Sequence, residues 1–343
     1  MYLMLRESRV IMKEVSLVVD MNGCPNRCKH CWLGHMPNRK MEENCDEFIV
    51  DYFKPYFEKV TYYSWLREPD YCSNYRERWE RDCLLSINSK PMRFELASFY
   101  ILVRDENYIK FLKEVNVDTV QLTFFGLEEK TDEYVGRKNA YNELIQATNL
   151  LIENGIIPRW QAFINEENKN EVVQLLDVIK EMNLYERCSG FKFFVHEGSC
   201  DGENRKLYPI RIQKENIPSE LIPYYLDYDQ LLEEKECIGL LNEETVDYDI
   251  EDHVVLNISN TYDVYFNYTH MSKPWVIGNM KEIDPEEMMR RIVEKDTFAL
   301  NVAKTVTYKQ LALQYGDSTS TKVFGLDDYK TYLFNCYLDD ISK

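Results

Sequence analysis

Cys24, Cys28 and Cys31 stand within eight residues in the spacing C-x3-C-x2-C. Thiolates are soft ligands that select zinc or iron–sulfur chemistry, and so tight a loop can wrap three corners of an iron–sulfur cube. Such cubes are normally held by four cysteines. Three ligands therefore point either to a distant fourth or to one iron left open. An open metal position is how a metal site does chemistry rather than structure. A zinc knuckle competes with this reading, as do three unrelated thiols. Zinc usually takes two C-x2-C type pairs. His30 or His35 could complete a zinc set, but no second pair follows at that spacing.

The elements that must position the loop are legible from apolar periodicity. Residues 13–20 predict a strand buried on both faces that feeds the loop directly. Residues 42–60 predict a helix, kinked or shortened by Pro55, and 60–65 a second strand. A polar, aromatic stretch at 70–90 is longer than a normal connection, and such insertions are often functional or lid-like. Further strands are predicted at 93–103, 118–125, 156–164 and 190–196, with helices at 106–115, 139–154 and 170–182 between them. Repeated strand–helix units imply a parallel sheet with right-handed crossovers. Six of them suit a partly open barrel, so the expected fold is α/β, a partial (β/α)6 TIM-like barrel. Past Gly198 the rhythm breaks. A helix over 224–241, a hairpin over 254–258 and 262–267, and a helix over 285–295 predict a smaller α+β extension. The expected division is 1–215 and 216–343.

Composition bounds the rest. The chain has 343 residues, 45% of them apolar, enough for a barrel-sized core plus an appendage. No run of ~18 uncharged apolar residues occurs, and Arg6, Glu7, Arg9, Lys13 and Glu14 interrupt the N-terminus against a signal peptide. The expectation is a cytoplasmic protein with no membrane partner, whose ten cysteines bind metal or stay as thiols rather than form a disulfide framework. A net charge of −18 argues against a nucleic-acid partner.

The cysteine loop resembles that of the radical S-adenosylmethionine (radical SAM) superfamily, whose aromatic-or-His position is His30 here. The resemblance extends over roughly residues 13–196, through the runs at 118–126, 134–139 and 150–155. It implies a (β/α)6 partial barrel with one [4Fe-4S] cluster at the C-terminal ends of its strands, where barrel active sites sit. It also implies S-adenosyl-L-methionine on the open iron, reductive cleavage to a 5′-deoxyadenosyl radical, and abstraction of a hydrogen atom from a substrate. Cys24, Cys28 and Cys31 would hold the cluster.

Carried over residue by residue, Glu68 stands where the family's Gly-Gly-Glu receives the cofactor amino group, with Leu66 and Arg67 in place of the glycines. Bulky side chains there hinder close backbone approach. Ser98 and Thr123 match small polar positions, Arg137 a loop arginine suited to a carboxylate, and Gln161 a strand position facing the barrel mouth, with Trp160 or Phe163 outward. His30 completes the expected cofactor contacts. The C-terminal part resembles a SPASM or twitch extension, but Asn267-Tyr268 stand where its cysteine is expected. Cys237 and Cys336 are too few thiolates for an auxiliary cluster, so none is expected. Cys45, Cys72, Cys83 and Cys188 read as small buried hydrophobes, as does Cys200, unless it sits at the barrel mouth. The expected substrate is a small molecule, since the first strand starts too early for a leader-binding domain, a start equally consistent with a peptide recruited by a separate protein. A ribosomal peptide is the alternative, and a non-catalytic iron–sulfur or zinc protein the reading of another class. An electron donor such as flavodoxin or ferredoxin is the implied protein partner.

Overall fold

The computed structural model describes residues 12–42, 44–200, 202–248, 253–267 and 271–342. Residues 1–11, on which most of the signal-peptide reading rests, and Tyr268 lie outside them. The strands in chain order are β1 (Met12–Val19), β2 (Phe57–Tyr63), β3 (Thr119–Phe124), β4 (Ile157–Phe163) and β5 (Lys192–His196). Then follow β6 (Leu232–Glu233), β7 (His253–Ile258), β8 (Asp263–Phe266), β9 (Val276–Asn279) and β10 (Val323–Phe324). The helices used below are α1 (Cys45–Phe53), α2 (Tyr75–Leu85), α3 (Phe99–Leu102), α4 (Tyr108–Glu114), α5 (Glu128–Val135), α6 (Ala140–Glu153) and α7 (Lys169–Glu181). Backbone contacts divide the chain into two compact units.

The first unit comprises Met1–Cys24, Met36–Met92 and Asp247–Val302. Its sheet runs β2-β1-β7-β8-β9, with β1 parallel to both neighbours and β8 and β9 antiparallel. β1 is an interior strand with a partner on each side, and its Val15, Leu17 and Val19 are completely buried. Pro55 shortens the predicted helix. α1 stops at Phe53, a 3-10 turn follows, and β2 starts at Phe57, three residues earlier than expected. A prolyl residue lacks the N–H that an α-helix interior needs. The 70–90 stretch carries α2 and returns to β2 through paired backbone bonds between Val60 and Ile87.

The second unit comprises Pro25–His35, Arg93–Val246 and Ala303–Lys343. Its main sheet is parallel, β3-β4-β5, and β6 pairs antiparallel with β10. One face of the main sheet is apolar. Val120, Leu122, Phe124, Trp160 and Ala162 are buried there, and the Trp160 indole N–H donates to Thr148 of α6 at 2.9 Å.

Two sequence expectations are corrected. No strand forms over 93–103. Ser98 instead caps α3, accepting the Ile101 N–H at 3.2 Å, while its own N–H donates to the Tyr108 hydroxyl at 3.1 Å. A serine that satisfies local backbone groups this way competes with a sheet ladder. The predicted strand keeps links to the sheet at Glu95, whose C=O accepts the Gln121 N–H at 2.7 Å and whose carboxylate pairs with Arg159 of β4 at 2.5 Å. The helix over 224–241 shrinks to Glu234–Leu240, behind 3-10 turns that contain Pro223 and the short β6. The hairpin and the helix at Pro285–Glu294 stand as expected, but β7 also pairs with β1 in parallel, a long-range match that no local pattern encodes.

Candidate functional site

The cysteine loop leaves the first unit after Cys24 and belongs to the second from Pro25 to His35. In the first unit, Asn38 clamps the Cys24 backbone from both ends. Its Oδ1 accepts the Cys24 N–H at 3.2 Å, and its Nδ2 donates to the Cys24 C=O at 2.5 Å. The Cys24 thiol lies 4.0 Å from Glu68 Oε2, donating to it. Arg67, in the place of an expected glycine, is a strut. Its guanidinium forks onto the Asp20 carboxylate at 2.9 and 2.8 Å and also donates to the C=O groups of Met36 and Pro37. Asn260 donates to the same Asp20 and Pro37 groups at 3.0 and 2.8 Å. Both charges of the pair are buried, the setting in which bidentate geometry is worth most. Gly23, at φ +78°, lies against Asn38 and Arg67, and a Cβ there would stand 2.7 Å from Asn38 Oδ1.

In the second unit the loop docks on the C-terminal end of α5. The last carbonyls of a helix lack partners inside it, and here loop amides supply them. Arg27 N–H donates to Val135 C=O at 2.9 Å and Lys29 N–H to Tyr134 C=O at 2.8 Å. The approach needs Gly136, which closes α5 at φ +71° and whose Cβ would meet Arg27 O at 2.6 Å. Cys31 C=O accepts from Gly34 N–H and from Glu203 N–H, at 3.1 and 2.9 Å. Cys28 packs against the cluster of Phe125, Tyr134, Val135 and Ala140. None of the ten cysteines is in a disulfide.

Arg137 follows at once. Its Nε donates to Asn26 Oδ1 at 2.9 Å, its Nη1 pairs with Glu143 at 2.7 Å, and its plane lies over the Phe99 and Tyr100 rings. Nη2 is buried without a hydrogen-bond partner. Arg104 and Arg137 together hold the Glu143 carboxyl below its ordinary range despite the opposing effect of burial.

Thr123 and Gln161 are register partners on β3 and β4, on the face opposite the helices. Gln161 reaches His196 on β5. The Gly198 N–H donates to His196 Nδ1 at 3.1 Å, so the neutral imidazole carries its proton on Nε2. Gln161 must then turn its amide oxygen toward the ring. Burial first, then Arg211, lowers the His196 pKa to about 4. Trp160 points away as expected, whereas Phe163 shares the Gln161 face by strand alternation and packs on His196 at 4.3 Å. The His30 ring is wedged between Phe125 and Phe163 at 4.5 and 4.6 Å, and burial, then His196, lowers its pKa to about 3.

Thus Glu68 sits with Cys24 in one unit, and His30, Ser98, Thr123, Arg137 and Gln161 sit in the other with Cys28 and Cys31. Asn26, Asn38, Arg67, His196, Glu197 and Arg211 were missed. Only Arg67 left a sequence signal, its replacement of a glycine. Among the described residues no three His, Cys, Asp or Glu side chains converge on a single-ion site. A cube does not ask for that, because each thiolate takes its own iron.

Residues 18–179 match the family model of the radical SAM superfamily. Among solved structures, native anSMEcpe with bound AdoMet and Cp18Cys peptide is similar, with a TM-score of 0.53 and 14% identity over 95% of this chain and 98% of that one. Native anSMEcpe with bound AdoMet gives 0.52 and 14% over 96% and 100%. The likeness is one of fold, an α/β partial barrel. No curated protein matches the chain.

Proposed function

We propose, on the premise that the chain belongs to the radical SAM superfamily through residues 18–179, that Cys24, Cys28 and Cys31 hold the family's cluster and that the enzyme takes a hydrogen atom from its substrate. The cofactors of the family are a [4Fe-4S] cluster and S-adenosyl-L-methionine. When bound, they supply a 5′-deoxyadenosyl radical, and the protein's part is positioning and sealing. The observation that carries the reading is the seating of the cysteine loop on α5, inside the matched segment.

The chain's own residues take the following roles. Glu68, beside the Cys24 thiol, receives the cofactor amino group. Arg137, with Nη2 left over, pairs with its carboxylate. Thr123 and Gln161 face it from β3 and β4, and His30 packs beside it. Ser98, which caps α3, contributes a small polar contact. Residues 1–215 form the radical SAM core, and 216–343 a SPASM-like extension without an auxiliary cluster, in which Cys237 is fully buried. Flavodoxin or ferredoxin supplies the electron.

A small-molecule substrate is the reading from sequence. A peptide is the second reading, favoured by likeness over nearly the whole chain to an enzyme with a bound peptide. The test is anaerobic reconstitution, reduction with dithionite in the presence of S-adenosyl-L-methionine, and assay of 5′-deoxyadenosine. Turnover is expected from the wild type and none from Cys28→Ala. Absence of turnover with tightly bound zinc sinks the reading.

A further inference from the structure

Beside the cysteine loop, within the second unit, lies a cavity that shares with the roles above only His30. His30, Asn165, Glu197, Asn204, Leu207 and Arg211 contribute to its wall, around about 310 Å³ of space that is partly continuous with solvent. Two buried nitrogens on this wall lack hydrogen-bond partners, His30 Nδ1 and Arg211 Nη2. The rest of the Arg211 guanidinium is committed. Its Nε donates to Val323 C=O at 2.6 Å and its Nη1 to Gly198 C=O at 3.3 Å, and the Phe324 ring lies 4.1 Å away. Glu197 stands 3.5 Å from Nη2, too far for a good bond, with its other oxygen accepting the Tyr225 hydroxyl at 3.0 Å.

A guanidinium N–H and an imidazole nitrogen seldom stay unpaired when buried. The charge of Arg211 is answered by Glu197, so the cavity has no call for an ion. What it suits is a small neutral group able both to accept and to donate, and a polar cavity offering two to four partners holds water. We propose that one or two ordered waters occupy this cavity and link Arg211 and Glu197 to His30 Nδ1. The water accepts from Arg211 and donates to His30, which fixes the His30 proton on Nε2 and locks the ring between Phe125 and Phe163. Arg211 and Glu197 thereby act as positioning residues for the loop.

The test uses the full chain without cofactors, so it stands or falls independently of the radical SAM reading. Histidine ¹⁵N spectra report the His30 tautomer, and magnetic relaxation dispersion of water counts long-lived internal molecules. The wild type is expected to show the Nε2–H tautomer. Ile164→Phe, which fills the cavity from its apolar side, is expected to lose one or two long-lived waters, and Leu207→Phe serves if that variant does not fold. Arg211→Gln is expected to move the His30 ¹⁵N shifts. A wild-type proton on Nδ1, an unchanged water count in the filled variant, unchanged His30 shifts in Arg211→Gln, or shifts that follow chloride concentration would each overturn the proposal.

Discussion

At the scale of single residues, the site is held by polar side chains that spend their hydrogen-bonding capacity on backbone. Asn38 grips both backbone groups of Cys24, and Arg67 divides its donors between one carboxylate and two carbonyls. The Arg67 pair invites a direct measurement. Arg67→Met leaves Asp20 buried with only Asn260 as a side-chain donor from that network. Removing one partner of a buried pair costs about 3 kcal/mol. Chemical denaturation should show that loss as a lower midpoint at unchanged slope. A variant as stable as the wild type would mean that Asp20 is not held as a desolvated charge.

At the scale of elements, the decisive contact is a loop laid across a helix end. α5 would otherwise present unpaired carbonyls, and the loop takes two of them. Gly136 makes the approach possible because it accepts a left-handed backbone and has no side chain to meet Arg27. Gly136→Ala is therefore expected to destabilise the fold by ~2 kcal/mol and to reduce the iron retained per chain after reconstitution, with α5 itself intact by circular dichroism. Normal iron content in that variant would detach the loop from the helix end. The missing third strand belongs to this scale too. Residues 93–103 have strand-like composition, yet one serine hydroxyl and one tyrosine hydroxyl satisfy the backbone locally, and Phe94 and Leu96 stay exposed.

At the scale of the whole molecule, no helix among the described residues is long and apolar enough to cross a membrane, and buried titratable groups shape the pH response. His196, held below its ordinary value, contributes stability at neutral pH that is lost as pH falls from about 6.5 through about 4. Asp82 does the reverse. Burial raises its pKa from 3.8 to about 7, although Ser64 donates to its Oδ2 from both N–H and O–H at 3.0 Å. The folded chain thus holds a proton that the unfolded chain releases, and stability falls as pH rises from about 4 through 7. Asp82→Asn keeps the shape and removes the titration. Its stability relative to the wild type should climb across that window, by an amount on the order of 3 kcal/mol. Parallel pH profiles for the two proteins would show that Asp82 titrates as an ordinary carboxylate.

What the sequence determined by itself is whatever depends on near neighbours. The spacing of Cys24, Cys28 and Cys31, the strand that feeds them, the strands predicted at 118–125, 156–164 and 190–196, the helices predicted at 139–154 and 170–182 and the hairpin at β7 and β8 are local patterns, and all these elements form within a few residues of their expected places, whereas α5 was not among the expected helices. The match to the radical SAM family model falls on the same stretch. What tertiary structure alone decided depends on partners far apart in the chain. The parallel seat of β7 beside β1 joins residues over two hundred positions apart. The Asp20–Arg67–Asn260 strut and the cavity shared by His30, Glu197 and Arg211 gather side chains from three segments each. A buried charge or an unpaired nitrogen is defined by what surrounds it, and periodicity carries no record of that. The cysteines could therefore be found by reading along the chain, whereas the residues that hold them needed the fold.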